Sequence, residues 1–517
     1  MKKTVLTTLL SGMLTASALA GVEIKVFHSL ADVRDPAEAV PGGTLALTMA
    51  RNEYESVQLA VAASEPVVLA FSLPAVPGLT FSLFRIAEAG GVPDVLVPLP
   101  EGGSVEVAAG QPAYFWLTVK TAVHAEPGGY PVSLTVTAPE TALHVPLQIE
   151  VTGFTMPAAP PIAVAAGIMD RQVADIYHRE LDSEAGCNIL LQWHEKCLEY
   201  GLSPYFWRPV YEEGQTPLNY CYPSPWPADD PRTAALLADP RQVAFAVPFC
   251  NPDDPDAEEL RRFADLLAAR NWHDRSFCYV FDEPTDEYYP AVHERAARLR
   301  AIDPAIPVLV SYFCGPDRER ESLGEVYDAF GEDCDIHSMS YWAIGEDEGF
   351  IDRLRRQPRR PEVWPYVCCG PGEPAPNYFL GMSGLQHRFV LWRAWKENAS
   401  GFLYWAVNAF SGRAAVPGGL PAFNPAFAAG DGVLLYPAED FIAAPPASGF
   451  QPPLASVRLA RLRDSLEDWA LFEACAEQDG RETVLAAVRE VYPAPYQYPD
   501  DPAAVDTLRR KLFATLH

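Results

Sequence analysis

SFCYVFDEP, residues 276–284, runs apolar and aromatic for most of its length and closes on two neighbouring carboxylates and a proline. Phe277, Cys278, Tyr279, Val280 and Phe281 do not alternate with polar residues, so both faces of this strand are expected to be covered, as in a parallel sheet. Seven other runs read the same way: IAVAAGI (162–168), LSPYFW (202–207), VAFAVPF (243–249), PVLVSYF (307–313), CDIHSMSYW (334–342), EVWPYVCCG (362–370) and GFLYWAVNAF (401–410). Amphipathic stretches such as DAEELRRFADLLAARN, YYPAVHERAARLRAID and LQHRFVLWRAWKENAS lie between them, and VRLARLRDSLEDWALFEACAEQ follows the eighth. Eight strand–helix units predict a (β/α)8 TIM barrel over residues 157–480, with a doubly wound open sheet as the structural alternative. RETVLAAVREV and DTLRRKLFATL, within 481–517, predict C-terminal helices packed on the barrel.

Upstream the pattern differs. In PVSLTVTA, Val132, Leu134 and Val136 alternate with Ser133, Thr135 and Thr137, the period of a strand with one buried face. TLALTMA, SVQLAVAA, YFWLTVKTA and LHVPLQIEV are runs of the same short kind, and no helical stretch interrupts them. Residues 21–156 are therefore expected to form an antiparallel β-sandwich. MPAAPP, 156–161, reads as a stiff linker.

The N-terminus, MKKTVLTTLLSGMLTASALAG, has Lys2 and Lys3 ahead of a short apolar run that ends on Ala18-Leu19-Ala20, which predicts a signal peptide over 1–20 and an exported, periplasmic or secreted protein. No later run approaches the length of a membrane span. The 517 residues are 49% hydrophobic, enough for a large core, and 39 basic against 68 acidic residues give 39 − 68 = −29. That charge repels nucleic acid and anionic membranes. Ten cysteines in an exported chain allow disulfides, yet no CxxC pair or Cys/His cluster has metal spacing, so neither a metal nor another cofactor is expected. Cys278 and Cys368 read as buried thiols, and the neighbours Cys368 and Cys369 would bridge only with strain.

In a barrel, catalytic groups come from the C-terminal ends of strands, where Asp282 and Glu283 fall. An acid followed by Pro284 and TDEYY is also how a helix begins. Two adjacent carboxylates cannot both ionise cheaply in a dry pocket, so one is expected to keep its proton and act as a general acid. The other strand ends supply Trp207, Arg208, Asn251, Tyr312, Trp342, Tyr366, Trp405 and Asn408, aromatic planes and amides suited to a sugar. A conventional glycosidase needs a second carboxylate from another strand. The ends of the last four strands offer none, leaving Asp170 and the loop acids Asp253, Glu346 and Glu373. A pair on one strand without a clear nucleophile points to substrate-assisted hydrolysis, in which the sugar's 2-acetamido oxygen attacks the anomeric carbon.

Other features read as structural. NPDDPDAEE, 251–259, lacks ordered calcium-ligand spacing and opens a helix. His337 and Asp335 share a strand face and are expected to pair. No GxSxG elbow, P-loop or GxGxxG fingerprint occurs.

YVFDEP, together with ARNEYESVQLAV (50–61), GFLYWAVN (401–408), GDGVLLYP (430–437) and VRLARLRDSLEDWALF (457–472), in this order, resembles glycoside hydrolase family 123, the exo-acting β-N-acetylgalactosaminidases. The resemblance implies a sandwich, a catalytic barrel and retention through an oxazoline intermediate. It also implies that Asp282 orients the 2-acetamido group and that Glu283 is general acid and then base. The substrate implied is terminal β-linked N-acetylgalactosamine on a glycan or glycoconjugate. Ser465 stands where the family pattern suggests glycine and Trp469 where it suggests tyrosine. Two other functions stay open: a non-catalytic glycan-binding protein, and a glycosidase of another exopolysaccharide linkage.

Overall fold

Leu134, Val136, Val145, Leu147 and Ile149 line one buried face of two paired strands, while His144, Pro146, Gln148 and Glu150 between them are exposed. The alternation read from the sequence thus becomes a half-buried antiparallel pair. The computed structural model of the chain describes residues 21–516 apart from 101, 140, 211–217, 250–255, 314–322, 412–421 and 443–450. The expected leader, 1–20, lies outside the described residues.

Ten strands come first: β1 (Val22–His28), β2 (Leu45–Arg51), β3 (Tyr54–Ala63), β4 (Val67–Ser72), β5 (Leu79–Ala89), β6 (Val92–Pro98), β7 (Ser104–Val107), β8 (Ala113–Thr121), β9 (Gly128–Ala138) and β10 (Thr141–Thr155). They form two five-stranded sheets in the orders β1-β3-β8-β5-β6 and β2-β10-β9-β4-β7. Pairing is antiparallel except between β10 and β2, which run parallel. Leu47, Met49, Leu59, Val61, Phe115, Leu117, Leu147 and Ile149 belong to one cluster that draws on both sheets.

The next strands are β11 (Ala163–Met169), β12 (Ser203–Val210), β13 (Leu218–Tyr222), β14 (Phe245–Ala246), β15 (Ser276–Asp282), β16 (Val308–Tyr312), β17 (Ile336–Met339), β18 (Glu362–Val363), β19 (Tyr366–Val367) and β20 (Gly401–Tyr404). All eight runs expected as parallel strands contain one, separated by helices. Several are shorter than expected. The run 362–370 splits into β18 and β19 around Pro365, which has no N–H to give a ladder. The run 334–342 ends at Met339, and Tyr341–Ile344 turns into a short helix capped by Ser340. β13 was not expected; it adds to β12 as an antiparallel edge.

These strands pair in two arcs, β13-β12-β11-β20-β19 and β14-β15-β16-β17-β18. Among the described residues no ladder joins β12 to β14, so the expected closed barrel is not present as one continuous sheet. Nevertheless one inner cluster collects Ala165, Tyr205, Ala246, Phe277, Tyr279, Leu309, Ile336, Tyr366 and Leu403 from strands of both arcs. Helices cover the outer faces.

His337 and Asp335 do not pair. The His337 ring meets the Tyr312 hydroxyl at 2.9 Å, while Asp335 faces Arg300 at 3.5 Å and accepts the Val308 N–H at 2.9 Å. Burial drives the His337 pKa down to about 3, so it packs as a neutral ring.

Three helices end the chain: Val457–Asp479, Arg481–Val491 and Ala503–Phe513. The first and last meet the sandwich through buried charges. Arg388 bonds Asp468 at 2.6 and 2.9 Å and lies 3.2 Å from Asp464. Arg509 reaches Asp468, Glu53 and Glu55. Ser465 donates to the Arg388 carbonyl at 2.6 Å and Trp469 is buried, so both departures from the family pattern are packing positions. No helix among the described residues is long and apolar enough to cross a membrane.

Candidate active site

Strict alternation along β15 would place Phe277, Tyr279 and Phe281 inside and turn Asp282 outward. The ladder to β16 instead shifts register between Tyr279 and Phe281. That bulge sends both Val280 and Phe281 into the helix-side core and returns Asp282 to the inner face. There the hydroxyls of Tyr279 and Ser311 each lie 2.8 Å from Oδ1 of Asp282, and 2.7 Å from one another. Glu283 follows with φ +46°, a left-handed backbone conformation that costs a non-glycine residue on the order of 1 kcal/mol or more. Its N–H is fixed by the Ser311 carbonyl at 3.0 Å. The turn brings the carboxylate inward as well, where the Tyr366 hydroxyl donates to Oε1 at 2.5 Å. Burial first, and then the Glu283 carboxylate, holds the phenolic proton of Tyr366 in place. Bulge and left-handed residue together let two sequence neighbours serve one side of the strand.

Asp170, the expected alternative acid, is fully buried and already committed. Oδ2 accepts from Arg208 at 2.8 and 2.5 Å and from the Tyr222 hydroxyl at 2.5 Å, and Oδ1 accepts the Arg171 N–H at 2.5 Å. It orients Arg208 and is no poised nucleophile. Burial works against the Arg208 charge, but Asp170 and Tyr222 together outweigh it and the guanidinium is held firmly protonated. Glu346 is exposed, and Glu373 accepts from Gln386 at 2.6 Å in a cleft of about 830 Å³ that contains neither Asp282 nor Glu283. Asp253 lies outside the described residues.

The expected rim divides. Trp207 packs on the inner cluster, and Trp342 lies over Gly370, where a Cβ would sit 2.0 Å from its ring. Trp405 donates from Nε1 to Asp431 at 3.0 Å. Tyr312 points into the helix-side core and is no part of the rim. Asn408 is also structural: its amide accepts the Met169 N–H at 2.9 Å and donates to the Met169 carbonyl at 3.1 Å. Asn251 lies outside the described residues.

Asp431 was missed by the sequence reading. It is 4% exposed, its Oδ2 has no hydrogen-bond partner, and burial raises its pKa to about 6 despite the bond from Trp405. The signal was the flanking pair in GDG. Gly430 and Gly432 have φ of +87° and +66°, and a Cβ on either would strike Arg458 or Trp405. Arg458, itself buried, ties this loop by donating to the Gly430 and Val433 carbonyls at 2.7 and 2.6 Å.

Residues 257–475 match the family model described as glycoside hydrolase 123, catalytic domain. A family 123 glycoside hydrolase from Clostridium perfringens, studied for glycolipid glycan hydrolysis, superposes with a TM-score of 0.66 at 14% identity, covering 96% of this chain and 98% of that one. A family 2 glycosyl hydrolase from Bacteroides cellulosilyticus aligns over 69% of this chain and 44% of that chain, with a TM-score of 0.28 and 10% identity. No curated protein sequence matches the chain significantly. The chain is a glycosidase. The match to glycoside hydrolase family 123 falls on the region that holds YVFDEP and the later motifs that resemble that family.

Proposed function

We propose that this glycosidase removes terminal β-linked N-acetylgalactosamine by substrate-assisted, retaining hydrolysis. The observation that carries the reading is the pairing of Asp282 and Glu283 on one inner face while Asp170 is sealed by Arg208 and Tyr222. Asp282, its Oδ1 steadied by two hydroxyls, receives the acetamido N–H and turns the acetamido oxygen toward C1. That oxygen attacks C1 as the bond to the leaving oxygen breaks, and Glu283 gives its proton to the leaving group. Water then attacks C1 of the oxazoline, Glu283 takes the water's proton, and the ring opens. Two inversions give net retention. The Tyr366 bond to Oε1 fixes the Glu283 carboxyl so that its other oxygen faces the leaving group. Trp207, Trp342 and Trp405 would offer apolar planes to the sugar, and Arg208 and Asp431 polar contacts to its hydroxyls.

The proposal includes a closed (β/α)8 barrel over 157–480, supported by the inner cluster common to both arcs, with a sandwich over 21–156, closing helices over 481–517 and export after residue 20. The Clostridium perfringens neighbour supports a glycolipid or similar glycoconjugate as substrate. Nitrophenol release from the β-N-acetylgalactosaminide, the β-N-acetylglucosaminide and the β-galactoside tests the chemistry. Cleavage of the first and failure on the third are expected. Equal cleavage of the sugar without an acetamido group would overturn the mechanism.

A further inference from the structure

The rim holds a second pair of neighbouring reactive groups. Cys368 and Cys369 follow β19 directly, and their sulfurs lie 3.7 Å apart. In a regular strand, adjacent side chains point to opposite faces and could not meet in this way. Here the chain leaves the strand: the Cys368 N–H bonds the Gly370 carbonyl at 3.0 Å, folding the two thiols toward each other. Asn377, fully buried, holds that turn by donating to the Cys368 and Pro371 carbonyls, each at 3.0 Å. The Cys368 side chain packs against the inner cluster that contains Tyr366, and Cys369 is exposed. Cys368 was expected to be a buried thiol and is half-buried. The other described cysteines, Cys187, Cys197, Cys221, Cys278, Cys334 and Cys475, are buried.

We infer that Cys368 and Cys369 are a redox-active vicinal dithiol on the rim of the glycan site, closing to a disulfide with small oxidised thiols and reopening with reduced ones. Cys369, the exposed member, attacks one sulfur of the small disulfide; its proton leaves with the first thiol released. Cys368 then gives up its proton, attacks the Cys369 sulfur and expels the second thiol. Two protein thiols are oxidised by two electrons, and one small disulfide is reduced to two thiols. The Cys368 thiol bonding to Cys369 lowers the pKa of Cys369, which suits it to attack first. Consecutive Cα atoms stand about 3.8 Å apart, short of the 4.4–6.8 Å usual for a disulfide, so the closed ring is strained and easily reduced. It is a reversible contact and no structural staple. Closure would also move the backbone between Tyr366, which holds Glu283, and Gly370, which lies under Trp342.

Only the link to hydrolysis rests on the proposed function. The test uses the full reduced chain, treated with phenylarsine oxide or with oxidised glutathione and read by intact mass and peptide mapping. One arsenical bridging Cys368 and Cys369, absent in Cys369→Ser, is expected. Oxidised glutathione should remove two hydrogens from the peptide carrying both, dithiothreitol should restore them, and hydrolysis should fall about threefold or more in the closed form. Separate glutathione adducts on the two residues, or no modification, would overturn the dithiol; because the wild-type chain gives this answer, a misfolded variant does not decide it. A bond that forms with hydrolysis unchanged would overturn the link to catalysis. Absence of hydrolysis in both states counts against the proposed substrate, while the mass result still decides the dithiol.

Discussion

The Tyr366 hydroxyl donates to Oε1 of Glu283 across 2.5 Å, so the end of β19 sets the position of a carboxylate at the end of β15. The two residues are 83 positions apart, and the contact crosses from one arc of strands to the other. A general acid must keep a fixed aim as its proton leaves, and this phenol supplies it.

Glu283→Gln should lower kcat on a nitrophenyl glycoside by about 10²–10⁴-fold, the range for loss of a general acid–base group. Tyr366→Phe should cost about tenfold with KM little changed, because the carboxyl remains and only its aim is lost. Leaving-group dependence checks the assignment. Both defects should shrink on a dinitrophenyl glycoside, whose departure needs little protonation; an undiminished defect would remove Glu283 from the acid role.

Asp282→Asn should act differently. It should depress cleavage of the N-acetylated glycoside by about 10²-fold or more, since the acetamido group loses its anionic partner. Added azide should not restore the rate, because no cavity for an external nucleophile is opened. Steady-state kinetics with and without azide read this out.

Asp431 ties stability to pH. Its pKa is raised by burial to about 6, above the unfolded value near 3.9, so relative to an ordinary carboxylate its contribution is retained below about pH 4 and lost as pH rises through about 6. Asp431→Asn should therefore match the wild type near pH 4 and exceed it by roughly 2–3 kcal/mol at pH 8, while activity falls. Urea midpoints at the two pH values measure it. Equal midpoints at both would show that the carboxyl is not desolvated.

Arg458 joins the helix Val457–Asp479 to Asp94 of the sandwich at 2.9 Å, with both side chains buried. Arg458→Leu should cost about 3–5 kcal/mol by leaving Asp94 unpaired, and adding Asp94→Asn should return part of it. A double-mutant cycle in denaturant reports the coupling. The same variant should impair activity through the loop that carries Asp431.

Gly370→Ala should raise KM several-fold with a smaller effect on folding. The new Cβ would fall 2.0 Å from Cε3 of Trp342, so the ring must leave its place on the rim. A sugar-titrated change in tryptophan fluorescence would report the lost contact.

The order of layers was legible because burial writes a period into the chain: two residues for the sandwich strands, unbroken apolar runs for the parallel ones. Asp282 and Glu283 stood out because they close such a run, although an acid before Pro284 is equally how a helix begins. What the runs did not disclose was local. Tyr312 and Asn408 stand at strand ends like true rim residues, yet one turns to the helix side and the other is consumed by the Met169 backbone. Tyr312 follows the period of Val308 and Val310 onto the helix side, and Asn408 is set by a partner far away in sequence. Asp431 escaped because its meaning lies in two glycines crowded by Arg458 and Trp405, partners far away in sequence.

The tail of the chain has a practical consequence for anyone trimming it. Arg509, eight residues from the end, is shared by Glu53 and Glu55 at the front of the polypeptide and by Asp468 in between. A chain shorn of its last turns would leave Glu53 and Glu55 in a waterless seam without the arginine they share. The start of β3 and the helix Ala503–Phe513 therefore close one clasp, and the enzyme is expected to need both.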